Sequence, residues 1–321
     1  MQARAYWTVG PGTGEIRTQQ LAPPGPGEAL VRAVVSGVSR GTELLVHRGQ
    51  VPAEVADQVA GPFEEGALPG PVKHGYLSVG VVEDGEPGWV GRRVFCLHPH
   101  QDRYVVPVTA LTPLPDDVPD ERAVLLGTLE TAVNALWDGR PIYGDRVAVV
   151  GAGMVGASVT ALLGQLPLSR LELVDTDPER RALAESLGAT GVAPEDAGGD
   201  CDLVFHASAT QAGLQTALGL LGRESEVIEL SWYGTTPVTV ELGTTFHTRR
   251  LAVRASQVSR VSPHRPARDH ADRMQVALRA ARNPALDELL AGPTPFVELP
   301  ALMQRLAAGE PGLCHLVRYP G

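Results

Sequence analysis

Up to about residue 115, apolar and polar positions alternate in short runs broken by Gly and Pro. Residues 29–36, 78–83, 92–97 and 104–108 read as strands, giving an all-β block. Residues 53–71 follow neither period. That stretch is long, acidic and rich in Pro and Gly, as a functional or disordered connection is. From Asp120 the spacing becomes helical, through Ala123, Leu126, Leu129, Val133 and Trp137. The apolar run 147–150 reads as a buried strand, and a helix with Val159, Leu162, Leu163 and Leu166 follows. Strands are expected at 171–174, 202–205 and 226–230, with helices ending near Gly188 and spanning 214–221. This βαβα alternation predicts a parallel sheet. Residues 237–242 alternate like an exposed edge strand. Past 255 the pattern is mixed: a helix at 267–282, a Pro-rich link, a helix at 299–308 and a strand at 314–318.

Composition narrows the class of partner. The chain has 321 residues, enough for about two domains. A net charge of −10 argues against nucleic acid and anionic membranes. No apolar run reaches the roughly 18 residues of a membrane span, and no secretory leader pattern opens the chain. Cys96, Cys201 and Cys314 stand alone in apolar segments and form neither a disulfide framework nor a C-x-x-C pair. A cytoplasmic setting is expected. Lys73 is the only lysine among 27 basic residues.

The strongest chemical signal is Gly151-Ala152-Gly153-Met154-Val155-Gly156, directly after the 147–150 strand and at the head of a helix. Gly151 allows the tight turn, Gly153 lets a pyrophosphate approach the backbone, and Gly156 permits close helix–strand packing. Met154 and Val155 complete the phosphate-facing turn. Asp175 ends the next strand, 24 positions after Gly151, where a carboxylate can bond both ribose hydroxyls. NAD(H) is therefore expected over NADP(H), although Arg180 and Arg181 nearby are of the type that accommodates a 2′-phosphate.

The β block, the central nucleotide motif and the mixed C-terminal tail resemble the medium-chain dehydrogenase/reductases over essentially the whole chain. Residues 36–43, Ser-Gly-Val-Ser-Arg-Gly-Thr-Glu, resemble that family's Gly-Ile-Cys-x-x-Asp turn. Residues 75–80, Gly-Tyr-Leu-Ser-Val-Gly, stand where it has Gly-His-Glu-x-x-Gly. The octapeptide is most similar to the bacteriochlorophyllide 3-hydroxyethyl dehydrogenase branch. The resemblance implies an α/β chain with a GroES-like catalytic domain at 1–115 and a doubly wound Rossmann domain at 116–255. Residues 256–321 would then return to the catalytic domain. It also implies a homodimer built by pairing outer strands of the nucleotide domains, with 237–242 as that edge.

The departures matter as much. Where the family holds catalytic zinc, this chain has Ser39 or Arg40, Tyr76, and Gly127 or Thr128, and the four-cysteine zinc lobe is missing. No zinc is expected. His98 and His100 would share a strand face, as solvated or hydrogen-bonded loop histidines or as part of a metal site. An alcohol oxidised without zinc still loses a proton, so a side chain must take it. Tyr76 is the first candidate, with Lys73 favouring its phenolate; Thr42, Ser39 and His74 are others. The alternative for Tyr76 is a packed aromatic with its hydroxyl on backbone. Glu43 is expected to hold its loop. Glu130 either meets substrate or caps an Arg. Thr131, His206 and Ser231 are placed at the cofactor, His206 with a purely structural role as its alternative. The expected activity is NAD(H)-dependent interconversion of an alcohol and a carbonyl on a bulky biosynthetic small molecule. Alkene or quinone reduction, and nucleotide binding without turnover, remain open.

Overall fold

The computed structural model describes residues 1–320. Its chain divides into two compact units, Met1–Gly127 with Leu289–Gly321, and Thr128–Glu288. The boundaries thus fall after Gly127 and before Leu289, not at 115 and 256. Residues 256–288 stay with the nucleotide unit because the helix His270–Ala280 is anchored there by buried Arg273.

The first unit is built on antiparallel strands, except that Leu290–Pro295 runs parallel to Cys314–Arg318. Its larger sheet runs in the order Leu290–Pro295, Cys314–Arg318, Glu28–Ser39, Ser78–Gly85, Arg93–Cys96, Leu111–Pro113, and Arg103–Pro107 also pairs with Glu28–Ser39. The C-terminal return is therefore a real sheet addition: Cys314 pairs with Ser39 and Val317 with Ser36. A smaller sheet holds Gln2–Gly10, Thr13–Gln20, Val72–Lys73 and Glu65–Gly66. The helix Leu299–Ala307 buries Leu299, Leu302, Met303 and Leu306, one stripe at helical spacing, into a core with Val31, Val82, Val94, Tyr104 and Phe296. Residues 36–43 are not a simple turn. The strand continues to Ser39 and a helix, Arg40–His47, starts at once.

The second unit is a six-stranded parallel sheet in the order Thr190–Val192, Arg170–Val174, Arg146–Val150, Cys201–His206, Leu221–Glu229, Ala252–Ala255. Strand order reverses about Arg146–Val150, the strand that feeds the glycine motif. Ligands of doubly wound sheets bind at such a switch point, beyond the carboxyl ends of the strands. The helix Gln211–Leu220 covers the sheet with Leu214, Ala217 and Leu218.

Residues 237–242 form no strand. The amides of Thr239 and Glu241 donate to the side-chain oxygens of Gln211 and Gln215, so the segment lies along the helix instead of extending the sheet. The outer strand is Ala252–Ala255, exposed along its length. Alternation predicted the wrong segment because a period of two also describes an extended strap on side chains. Among the described residues no helix is long and apolar enough to cross a membrane.

Candidate active site

The glycine motif folds as its spacing requires. Gly151 has φ +103°, and a Cβ there would lie 2.6 Å from the Ser208 amide nitrogen. A Cβ on Gly156 would lie 1.8 Å from the Gly151 carbonyl oxygen, so only glycine lets the helix Met154–Leu163 approach its strand. A Cβ on Gly153 would meet nothing within 4 Å. Gly153 also caps the helix N-terminus, so the backbone there is open to an anion, and the unpaired amides of the first turn point to it. Met154 is buried behind this turn and Val155 is half-buried. The residues fit a dinucleotide.

Asp175 ends the neighbouring strand. Its Oδ2 accepts the Ala152 amide at 2.7 Å and its Oδ1 accepts the Asp177 amide at 2.9 Å. The carboxylate is thus tied to the glycine turn itself. Arg181 donates to the carbonyls of Asp175 and Thr176 at 2.9 and 3.0 Å, and Arg180 lies 3.6 Å from the Asp177 carboxylate. Both arginines have partners within the segment. Ser231 follows the strand Leu221–Glu229. Its amide donates to Glu229 at 2.7 Å, and its hydroxyl accepts the Ala209 amide at 3.0 Å. His206 is fully buried, so the sequence expectation of direct cofactor contact is not met by its ring. Thr131 is half-buried on the helix Leu126–Gly139.

Glu130 is not a free acid. Its Oε1 receives Nη2 and Nε of Arg273 at 2.9 and 3.1 Å, and both side chains are buried. Arg273 also donates to Asn134 Oδ1 at 2.7 Å and to the Val258 carbonyl at 2.6 Å. This pair joins two helices, and it is the Arg-capping alternative for Glu130 that the geometry supports. The partner is 143 positions away, beyond any local reading.

In the first unit the Tyr76 hydroxyl donates to Ser39 Oγ at 2.5 Å, with Thr42 also bonded to it. Burial, with the Glu43 charge adding to it, pushes the Tyr76 phenol up to about 12. The phenolate expectation fails on this point. Lys73 gives its ammonium to Glu65 and, at 2.7 Å, to Gln101. It is buried, which lowers its pKa, and it is spent on these partners. Tyr76 is thus a hydrogen-bond donor through the neutral range, with no cation tuning it.

Glu43 holds the turn, as expected. Its Oε1 accepts the Ser39 amide at 2.8 Å and its Oε2 lies 2.9 Å from His100 Nε2. His100 Nδ1 lies 2.7 Å from Ser36 Oγ. His98 instead stacks on Tyr104, centroids 3.8 Å apart, with Nδ1 on the Pro99 carbonyl. Burial drives His98 down to about 3. The two histidines therefore face different partners and share no ligand site. Among the described residues no group of three or more His, Cys, Asp or Glu is placed to hold a metal ion. At Ser39 and Tyr76 the chain offers hydroxyls, which do not fit the zinc of the family it resembles.

The acidic stretch has a function the sequence did not show. Glu64 and Glu65 fold back onto the adjacent His74 and Lys73, through the antiparallel pairing Glu65 with Lys73 and Gly66 with Val72. His74 Nδ1 bonds Glu64, while its Nε2 is buried without a hydrogen-bond partner. The signal was two acids and two bases eight and ten positions apart, across a Pro/Gly-rich loop.

Across the full length the backbone matches known dehydrogenases. A candidate zinc-binding dehydrogenase of Sinorhizobium meliloti, bound to NADP, superposes at a TM-score of 0.78 with 16% identity, covering 99% of each chain. The chain has the fold of the zinc-binding medium-chain dehydrogenases. An alcohol dehydrogenase of Escherichia coli complexed with NADH shares this fold at a TM-score of 0.77 and 18% identity, over 100% of this chain and 99% of its own. Among curated proteins, the L-threonine 3-dehydrogenase of Mesorhizobium japonicum is 33% identical over 87 residues, 27% of this chain and 25% of its own. The chain thus spans about a quarter of the length of the first curated relatives it matches. No family model matches the chain.

Proposed function

We propose that this protein is a nicotinamide-dependent oxidoreductase that interconverts an alcohol and a carbonyl on a small molecule, prefers NAD(H), and works without zinc. The observation that carries the reading is Asp175, bonded to the Ala152 amide of an open glycine turn at a sheet switch point. A carboxylate there accepts ribose hydroxyls and repels a 2′-phosphate, and Arg180 and Arg181 are turned to local partners. The solved neighbours with this fold hold NADP in one case and NADH in another, which supports a nicotinamide cofactor of either kind. The sequence relatives act on L-threonine and (R,R)-butanediol by name. Both are secondary alcohols with a polar neighbour, which is the substrate class we propose.

A nicotinamide cofactor held at the glycine turn of Gly151, Gly153 and Gly156 would supply or accept the hydride. The chain must manage the proton and the oxygen. Tyr76, protonated, now gives its one hydrogen to Ser39 Oγ and would turn it to the substrate oxygen when substrate binds. His74 offers the proton acceptor: Glu64 on Nδ1 orients the ring and leaves Nε2 unpaired. The same donor from Tyr76 would hold an enolate oxygen, which keeps alkene reduction as the second reading.

The test is titration of the purified protein with NADH and NADPH by fluorescence, wild type and Asp175→Ala. NADH should bind more tightly to wild type, and the substitution should weaken NADH more than NADPH. Tighter NADPH binding by the wild type refutes the preference. NADH formation from butane-2,3-diol or L-threonine then tests the reaction.

A further inference from the structure

His100 is buried and bonded at both ring nitrogens. Nε2 lies 2.9 Å from Glu43 Oε2, and Nδ1 lies 2.7 Å from Ser36 Oγ. Ser36 Oγ in turn lies 2.9 Å from the Tyr319 hydroxyl. With the ring neutral, the hydrogens along this chain have one order. The Glu43 carboxylate only accepts, so Nε2 carries the ring hydrogen. Nδ1 is then a lone pair, and it takes the single hydrogen of Ser36. Ser36 is left to accept from Tyr319. All four side chains are buried.

The ring reaches both ends of the Tyr76–Ser39 hydrogen bond. On one side Glu43 Oε1 takes the Ser39 amide at 2.8 Å, and Ser39 Oγ takes the Tyr76 hydroxyl at 2.5 Å. On the other side the ring lies against the backbone just before Tyr76. A Cβ on Gly75 would lie 2.9 Å from His100 Cδ2 and 3.3 Å from His100 Nε2, so the imidazole fills the space a side chain would need there. Gly75 has φ +132°, which glycine adopts without strain. The imidazole is thus wedged between the support of the acceptor and the support of the donor. The contacts behind it end on the C-terminal return: Cys314 pairs with Ser39, and the Tyr319 amide donates to the Val34 carbonyl at 3.1 Å. His98, two positions away, stacks on Tyr104 and takes no part.

We propose that His100 is a positioning residue of the oxidoreductase reaction: it sets the separation of Tyr76 and Ser39, and Ser36 and Tyr319 fix its ring. The inference rests on the reading of Tyr76 as donor to the substrate oxygen. It makes a residue of the C-terminal return part of the support of the site.

The test is a mutant cycle read by two signals. In protein carrying tyrosine isotope-labelled at Cζ, six resonances arise from the six tyrosines, and Tyr76→Phe identifies the one from Tyr76. His100→Leu should shift that resonance. Ser36→Ala, which keeps the ring and frees only Nδ1, should shift it by less. In NADH formation from butane-2,3-diol, His100→Leu should lower kcat about 10-fold, within the roughly 10²-fold cost of a misplacement of about 1 Å, with the Kd for NADH unchanged. In the Tyr76→Phe background it should add less than about 2-fold, because it acts through that phenol. If His100→Leu fails to fold, Ser36→Ala and Tyr319→Phe take its place in both measurements. A Tyr76 resonance unmoved in these variants, or a kcat loss that stays full in the Tyr76→Phe background, overturns the proposal. Full turnover in Tyr76→Phe overturns the donor reading of Tyr76 instead. Wild type without turnover on the diol or on L-threonine overturns the proposed reaction, and the resonance still decides the coupling of Tyr76 to His100.

Discussion

Removing Glu130 separates a structural acid from a chemical one. Glu130→Ala leaves the Arg273 guanidinium, 1% exposed, with Asn134 Oδ1 and backbone carbonyls but no counter-charge. Breaking a buried pair from one side costs about 3–5 kcal/mol, because the remaining charge stays desolvated. The unit from Thr128 to Glu288 has 161 residues, counting 288 − 128 + 1. At roughly 2–4 °C per kcal/mol for that size, a loss of about 4 kcal/mol lowers its melting temperature by about 8–16 °C. Glu130→Leu with Arg273→Met removes both charges and should recover most of that loss, since apolar replacements of buried pairs are near neutral. Urea melts of wild type, both singles and the double give the comparison, with circular dichroism as the signal. A Glu130→Ala loss below about 1 kcal/mol, or a double variant no better than the single, refutes the argument. A stable Glu130→Ala protein that had lost only turnover would return Glu130 to the chemistry.

Two further outcomes follow from the geometry. Tyr76→Phe should lower turnover about 10²–10³-fold, the range for losing one hydrogen-bond donor to the reacting oxygen, and leave NADH affinity unchanged. Because the phenol is raised to about 12, its stabilising protonated form persists above the unfolded value near 10 and is lost only as pH climbs through about 12. Tyr76 therefore contributes no basic limb to a pH–rate profile below about pH 10. A limb in the neutral range that disappears in Tyr76→Phe contradicts this, and activity lost to chelator with zinc near one per chain contradicts the zinc-free reading. If the homodimer expected from the sequence pairs outer strands of the nucleotide unit, Ala252–Ala255 is the outer strand available for it. On that expectation wild type sediments as a dimer and Val253→Lys as a monomer, and a wild-type monomer at micromolar concentration counts against the interface.

What the sequence determined by itself was local. Gly151 and Gly156 announce their roles because a positive φ and a 1.8 Å approach exclude every other side chain. Asp175 follows from the length of one strand–helix–strand passage. The strand at 314–318 was placed at its observed bounds by its apolar run, while the helix at 267–282 proved shorter, beginning at His270 behind its Asp269–Asp272 capping box. Tertiary structure decided which charged residues are available for chemistry. Lys73 looked poised beside Tyr76, but two strands of chain fold Glu65 onto it. Glu130 looked like a lone acid on a helix, but Arg273 arrives from 143 positions away. His206 looked like a cofactor contact, but Glu229 and Ser208 enclose it. Periodicity reports which face of an element is buried; it carries no information on which charge meets which inside. Those pairings are set when distant segments share one desolvated space, where an unpaired charge costs several kcal/mol and each ionisable group must find its partner.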